Sequence, residues 1–143
     1  LLAESAQSTL KDIGIEDDIN KTADNNQVVK DPKKWDVYAT ANVQAPTGDP
    51  EYWFTVFAAG NATKNQGRYQ SAKLDALEAQ LSQEFDPAKR AALALQMQQT
   101  VLDDHAFVFC SFLKMSMISK ANVKNYTSHA CDYYQVTADL DVQ

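Results

Sequence analysis

The sequence is poor in the residues that most enzymes build their chemistry on. Four glycines in 143 residues leave no room for a phosphate-cradling loop or a dinucleotide fingerprint, and neither pattern is present. Two histidines and two cysteines do not fall at the paired spacing of a zinc site. Basic residues are in the minority, 13 against 19 acidic, for a net charge of -6. With no basic excess to displace counterions, binding to nucleic acid through its phosphates is excluded. The cations are scattered, so there is no basic stripe for an anionic membrane surface. No apolar run approaches the roughly 20 residues needed to span a bilayer. No signal peptide or cleavage-site pattern opens the chain.

What is present is the composition of an ordinary globular protein, 45% hydrophobic and 22% charged. The opening "LLAESAQSTLKDIG" reads as the body of a helix, not as the start of a gene. The expectation is a fragment or processed piece whose upstream part is missing. Leu2, Ala6, Leu10 and Ile13 recur at helical spacing, and Gly14 stands where a left-handed residue ends a helix. A strand at 15–19, a polar connection at 20–34 and a second strand at 35–41, "WDVYATA", follow.

In "NVQAPTGDP" two prolines and a glycine interrupt regular structure, and Asp49-Pro50 suits a helix cap with proline at the first position. The helix predicted over 51–58 carries Tyr52, Trp53, Phe54 and Phe57, read as core before ligand wall. After the polar loop "GNATKNQGRYQ", Leu74, Leu77, Leu81 and Phe85 mark one helical face. Asp86-Pro87 repeats the cap-and-proline signal. The next helix has the stripe Ala91, Ala94, Leu95, Val101 and Leu102, with "QMQQ" toward solvent, and Asp103-Asp104 closes it. Phe107 to Leu113 is almost wholly apolar, as in a strand buried on both faces. Residues 122–143 read as irregular with short β-prone pieces.

Chemical signals are few. His129, Cys131 and Asp132 stand close together in "SHACD" and could ligate a transition metal, or a surface loop could bring them together by chance. Cys110 is read first as a buried thiol, with a disulfide to Cys131 as the alternative. A thiol among phenylalanines has the raised pKa that disfavours a nucleophile. His105 is read as a partly buried corner residue, and the triplets Asn61-Ala62-Thr63 and Asn125-Tyr126-Thr127 as chance glycosylation patterns.

The ordered segments "AESAQSTLKDIGI", "WDVYATA", "APTGDPEYWF" and "LDALEAQLSQEFDPAKRAALALQMQQTVLDDHAFVF" resemble the extracytoplasmic solute-binding proteins of family 5, receptors of dipeptide, oligopeptide and nickel ABC importers. "FLKMSMISKANVKNY" is similar to the nickel-binding branch. The resemblance covers nearly the whole chain, but only the C-terminal quarter to third of such a protein. It implies an α/β fold, part of a type II periplasmic-binding-protein-like bilobal architecture with helices packed on a mixed sheet. Residues 1–45 would be an inter-lobe helix-strand-strand region and 46–143 the helices and strands of the C-terminal lobe.

The resemblance further implies a non-enzymatic, monomeric receptor without a resident cofactor, periplasmic or extracytoplasmic, lipoprotein-anchored in its full-length form. It would hand nickel, a nickel chelate or a small peptide-like solute to membrane permease subunits. In peptide-binding members the loop after the "WDVYATA"-like strand supplies an aspartate to the peptide amine; here that place is Pro46. In nickel-binding members the same loop carries tryptophan and tyrosine beside an Ala-Pro, and a histidine follows in the loop after the next helix. Ala45-Pro46 is kept here, Val43 and Thr47 take the aromatic places, and "GNATKNQGRY" has no histidine. The candidate ligand-binding residues are Asn42, Gln44, Pro46 and Thr47, with Asn61 or Asn65. Two other readings stand beside this one: an interaction module using the Tyr52–Phe57 aromatics, and a metal or thiol enzyme at His129, Cys131 and Asp132.

Overall fold

Two helices packed side by side carry most of the core. The computed structural model describes residues 2–31, 33–114, 116–129 and 135–143. α4 (Ala72–Leu81) and α5 (Pro87–Asp103) pair as a hairpin, after α1 (Leu2–Asp12), α2 (Asn26–Val29) and α3 (Glu51–Trp53). α3 runs directly into a wider π turn at Phe54–Ala58. The predicted helix over 51–58 is therefore present, with its second half underwound to i→i+5 bonding, as in Ala59 N–H to Phe54 O at 2.8 Å. Thr55 turns its hydroxyl back toward the Glu51 and Tyr52 carbonyls, 3.2 and 3.1 Å away, which favours a distortion of this kind.

The cap signal at Asp86-Pro87 works as the sequence suggests, and α4 has a cap of its own that the sequence reading did not name. Ser71 accepts from Leu74 N–H at the start of α4, and Asp86 accepts from Lys89 N–H at 2.9 Å ahead of Pro87. The core joins Phe54, Ala58, Leu74, Leu77, Leu81, Ala94, Met97 and Val101, with Trp53, Tyr69, Leu93 and Phe107 packed against it. The buried face of α5 is rotated from the expected stripe. Met97 is wholly buried between exposed glutamines, whereas Ala91 is exposed and Leu95 is 65% exposed. Ala94, Met97 and Val101 follow the i, i+3, i+7 spacing of one face, turned away from the Leu95 and Leu102 side of the expected stripe. Phe85 lies past the end of α4 and is exposed as well.

α1 ends as predicted. Gly14 has φ +82°, Gly14 N–H reaches Lys11 O at 3.0 Å and Ile15 N–H reaches Leu10 O at 2.9 Å, the paired bonds of a left-handed helix stop. The chain then reverses along α1: Gln7 Nε2 donates to Asp17 O at 2.8 Å, and Lys21 pairs with Glu4 at 2.7 Å. The apolar stripe of α1 buries nothing, with Leu2 and Ile13 both exposed.

The expected strands differ most. Residues 15–19, 35–41 and 107–113 form no ladder among the described residues, and the mixed sheet is not assembled here. Main-chain groups need strand partners for a sheet to exist, and no described segment pairs with these three runs as a neighbouring strand. At 35–41 the aromatics fold back locally instead: Trp35 Nε1 donates to Val29 O, and Asn25 donates to the Tyr38 hydroxyl. The sheet that does form among the described residues is a minimal antiparallel pair, β1 (Val123–Lys124) with β2 (Asp141–Val142), inside the region read as having short β pieces. Cys110 is exposed rather than buried, and so is His105, which takes a left-handed φ of 52° at the end of α5. Among the described residues no helix is long and apolar enough to cross a membrane.

Candidate functional site

The loop ahead of α3 is built around an arginine that the sequence reading did not single out. Arg90, on the first turn of α5, sends Nη2 to both carboxylate oxygens of Asp49 at 2.8 Å and to Glu51 Oε2 at 2.7 Å. Its Nη1 donates to the carbonyls of Leu81 and Glu84, each at 2.7 Å, where α4 ends. The guanidinium thus ties the start of α3 to the hairpin turn. Asp49 also accepts from Glu51 N–H at 2.8 Å; the cap position of α3 falls one residue later than expected, on Pro50, and the Asp49 carboxylate both holds the first helical N–H and meets Arg90. The Arg90 hydrogen bonds hold the Asp49 carboxyl below its ordinary pKa and raise that of the guanidinium.

This clamp holds the C-terminal half of the candidate loop. Gly48, at φ +80°, closes a turn by donating to Ala45 O at 3.0 Å. Thr47, Gly48, Asp49 and Pro50 face Pro87, Arg90 and Ala91 across a shallow depression of about 380 Å³. Of the candidate residues, Thr47 alone lines it; Pro46 is buried, and Asn42 and Gln44 are exposed on the preceding stretch. Wide and open, with one fully engaged cation on its floor, the depression offers one wall of a site rather than an enclosure.

The other two candidates sit in the loop after the π turn and do not line that depression. Asn61 is exposed. Asn65 is part of the loop's own framework: its amide donates to Ala59 O and Tyr69 O at 3.2 and 2.7 Å and accepts from Tyr69 N–H at 2.9 Å. Gly60 donates to Asp75 Oδ1 at 2.8 Å, and a Cβ there would come within 2.9 Å of the Asp75 and Gln70 side-chain oxygens. The Tyr69 hydroxyl bonds Asp104 at the far end of α5, and burial first, then that carboxylate, raises the phenol's pKa.

The aromatics of the interaction-module reading point inward. Phe54 and Phe57 are buried, and Trp53 meets Phe54, Phe107 and Phe109 with ring centres 5.2–5.4 Å apart. His129 is exposed, while Cys131 and Asp132 lie outside the described residues. Among the described residues no three histidine, cysteine or carboxylate groups come together to hold a metal.

No protein-family model matches the chain. In sequence it is similar to the nickel-binding protein NikA of Staphylococcus aureus, 26% identical over 125 residues, 87% of this chain and 26% of that protein. In fold it is similar to the crystal structure of NikA from Staphylococcus aureus in complex with Ni(L-His)2, with a TM-score of 0.82 and 21% identity over 99% of this chain. The resemblance to solute-binding proteins of family 5 holds. The architecture is accordingly that of part of a periplasmic-binding-protein fold, and the chain spans 26–30% of the length of these relatives. Both relatives are named for the nickel or nickel complex that they bind.

The site residue that sequence reasoning missed, Arg90, had a signal. It closes the Asp-Pro-x-Lys-Arg run that carries the family resemblance, and Asp49 lies in the Gly-Asp-Pro of the segment "APTGDPEYWF". What could not be read was that the two segments meet.

Proposed function

We propose that this chain is the C-terminal part of an extracytoplasmic solute-binding protein that captures nickel, as a chelate, for an ABC importer. The observation that carries the reading is the fold likeness over 99% of the chain to a nickel–histidine-binding protein. Sequence similarity over 87% of the chain to a nickel-binding protein of the same name and organism supports it. Residues 1–45 act as the inter-lobe helix-strand-strand region and 46–143 as helices and strands of the C-terminal lobe, with the mixed sheet completed by the rest of the polypeptide. Nickel is cargo here, and no resident cofactor is needed. The whole protein works as a monomer, delivers to permease subunits and is held outside the cytoplasm, by a lipid anchor in its full-length form.

In this reading the loop at 42–47 forms one rim of the cleft, with Asn42, Gln44 and Thr47 as hydrogen-bonding groups, Pro46 as a rigid support and Asn61 as a contributor from the next loop. Pro46, which puts no carboxylate at the place that meets a peptide amine, favours a chelate over an ordinary peptide. Closure of two lobes on the ligand would supply the contacts that a single rim lacks.

The test is calorimetric titration of the complete gene product with Ni(L-His)2, free Ni2+, L-histidine and a set of dipeptides. Saturable one-to-one binding of the nickel–histidine complex is the expected result. Preference for a dipeptide would move the protein to the peptide branch. A folded product that binds none of the four removes the transport reading.

A further inference from the structure

The two candidate loops are held in different ways. The loop after the π turn has many ties. Asn65 makes three bonds within it, Lys64 N–H reaches Val56 O at 2.9 Å, Gly60 N–H is held by Asp75, and the Tyr69 hydroxyl is held by Asp104. No single side chain carries that loop. The loop at 42–50 has little of its own. In residues 35–44 no main-chain group makes a backbone hydrogen bond to another described residue. The turn at 45–48 is closed by Gly48 N–H on Ala45 O, and Asp49 N–H donates to Thr47 Oγ1 at 3.4 Å.

Among the described residues, the polar ties from this loop to the helical hairpin run through Asp49, and all of them end on Arg90. Arg90 is in turn fixed on the carbonyls of Leu81 and Glu84, and Leu81 is wholly buried in the core. A relay from Arg90 to Asp49 and from Asp49 to Thr47 thus joins the rigid hairpin to a candidate ligand group. The guanidinium has no donor left for a ligand, and its side chain is 17% exposed. Any influence it has on binding is exerted through the position of the loop.

We propose that Arg90 is a positioning residue for ligand capture: by gripping Asp49 it presets Thr47 and the turn at 45–48 in the shape that meets the nickel chelate. The inference rests on the proposed reading of 42–47 as a rim of the cleft. A loop ordered in advance loses little freedom when the ligand arrives, whereas a loose one must be ordered at the expense of affinity. Lysine in place of Arg90 keeps the charge but cannot reach Asp49, Glu51 and both carbonyls together.

The experiment is calorimetric titration of the complete gene product and its Arg90→Lys variant with Ni(L-His)2, paired with hydrogen–deuterium exchange at 45–50 in the free and saturated states. The variant should bind about tenfold more weakly. Its loop should exchange faster than the parent's when free and return to the parent's rate at saturation, because the ligand then orders what the arginine no longer does. A purely structural role would give no such recovery. Val101→Ala, a core change at the far end of α5, serves as control: it should lower the melting temperature and leave affinity within about twofold. Where Arg90→Lys does not fold, Asp49→Asn takes its place, since it keeps an acceptor for Glu51 N–H and gives up the charged grip; the same pattern is expected. Parent-like affinity in the clamp variant overturns the inference alone and leaves the transport reading standing. So does an equal loss of affinity in Val101→Ala, which would make the effect one of general stability. A parent protein that does not bind Ni(L-His)2 removes the nickel reading, and this inference with it.

Discussion

Asp49 and Arg90 meet side by side across 41 residues of sequence, the carboxylate spanning Nε and Nη2 at 2.8–3.2 Å. The remaining donors of the guanidinium go to Glu51 and to the carbonyls of Leu81 and Glu84, so every N–H of Arg90 is engaged. The planar fork of arginine can serve acceptors on three sides at once; the compact ammonium of lysine cannot. Arg90→Lys should therefore keep the positive charge and the helix content by circular dichroism while loosening the loop. Amide exchange at residues 47–51 should accelerate by about tenfold, with a lowered melting temperature. A lysine variant matching the parent in both measurements would show that the fork contributes only charge.

The same pair sets a pH dependence. Asp49 is ionised more readily in the fold than in the unfolded chain, foremost because Arg90 donates to its carboxylate. A depressed carboxyl pKa stabilises fully above the unfolded value, 3.8, and the contribution fades as pH falls through the lower folded value. Asp49 is 40% exposed, so water screens the pair and its share is held to about 1 kcal/mol or less. Glu78 slopes the other way: burial, reinforced by the charges of Glu51 and Asp75, raises its pKa, so its protonation favours the folded state. Asp49→Asn should flatten the loss of stability between about pH 4 and pH 2 and leave the Glu78 contribution in place. Chemical denaturation across that range checks it; curves that stay parallel for the two proteins would remove Asp49 from the acid limb.

What was legible in the sequence is what is decided within a turn of the chain. Gly14 and Asp86-Pro87 act through bonds to residues at most five positions away, and each does what its neighbours suggest. The strands at 15–19, 35–41 and 107–113 were not legible in the same sense. A strand is defined by a partner, and composition alone cannot say whether one is within reach. The clamp at Arg90 stayed hidden for a related reason, because its two ends come from separate segments brought together by packing. Among the candidate site residues, type and loop position marked Asn61 and Asn65 alike, whereas the hydrogen bonds separate them: the amide of Asn65 is spent on its own loop.

The rotated face of α5 can be checked by a pair of leucines. Leu74 has no exposure and sits in the hairpin core, whereas Leu95, part of the apolar stripe in sequence, is 65% exposed. Leu74→Ala should cost about 2–5 kcal/mol through lost burial and the cavity left behind. Leu95→Ala should change stability by less than about 0.5 kcal/mol. Urea denaturation of the two variants decides it, and a larger loss at Leu95 would mean that α5 packs on the face the stripe suggests. That result would also be expected if the missing portion of a longer protein covered Leu95, so the measurement belongs on this chain and on the complete gene product in parallel.

The last pair separates framework from ligand contact in the loop after the π turn. Asn65→Ala removes one acceptor and two donated bonds, leaving the Ala59 and Tyr69 carbonyls and the Tyr69 N–H to find water. Asn65 is only partly buried, so the loss should lie near the lower end of about 1–3 kcal/mol. Asn61→Ala, at an exposed position, should leave stability within about 0.5 kcal/mol. If Asn61 faces the cleft, its variant should instead weaken Ni(L-His)2 binding by the complete gene product without moving the melting temperature. Asn65→Ala should show the reverse pattern, a lower melting temperature with affinity changed only as far as the loop itself loosens. Should Asn65→Ala abolish binding at full stability, the two asparagines would have to exchange roles.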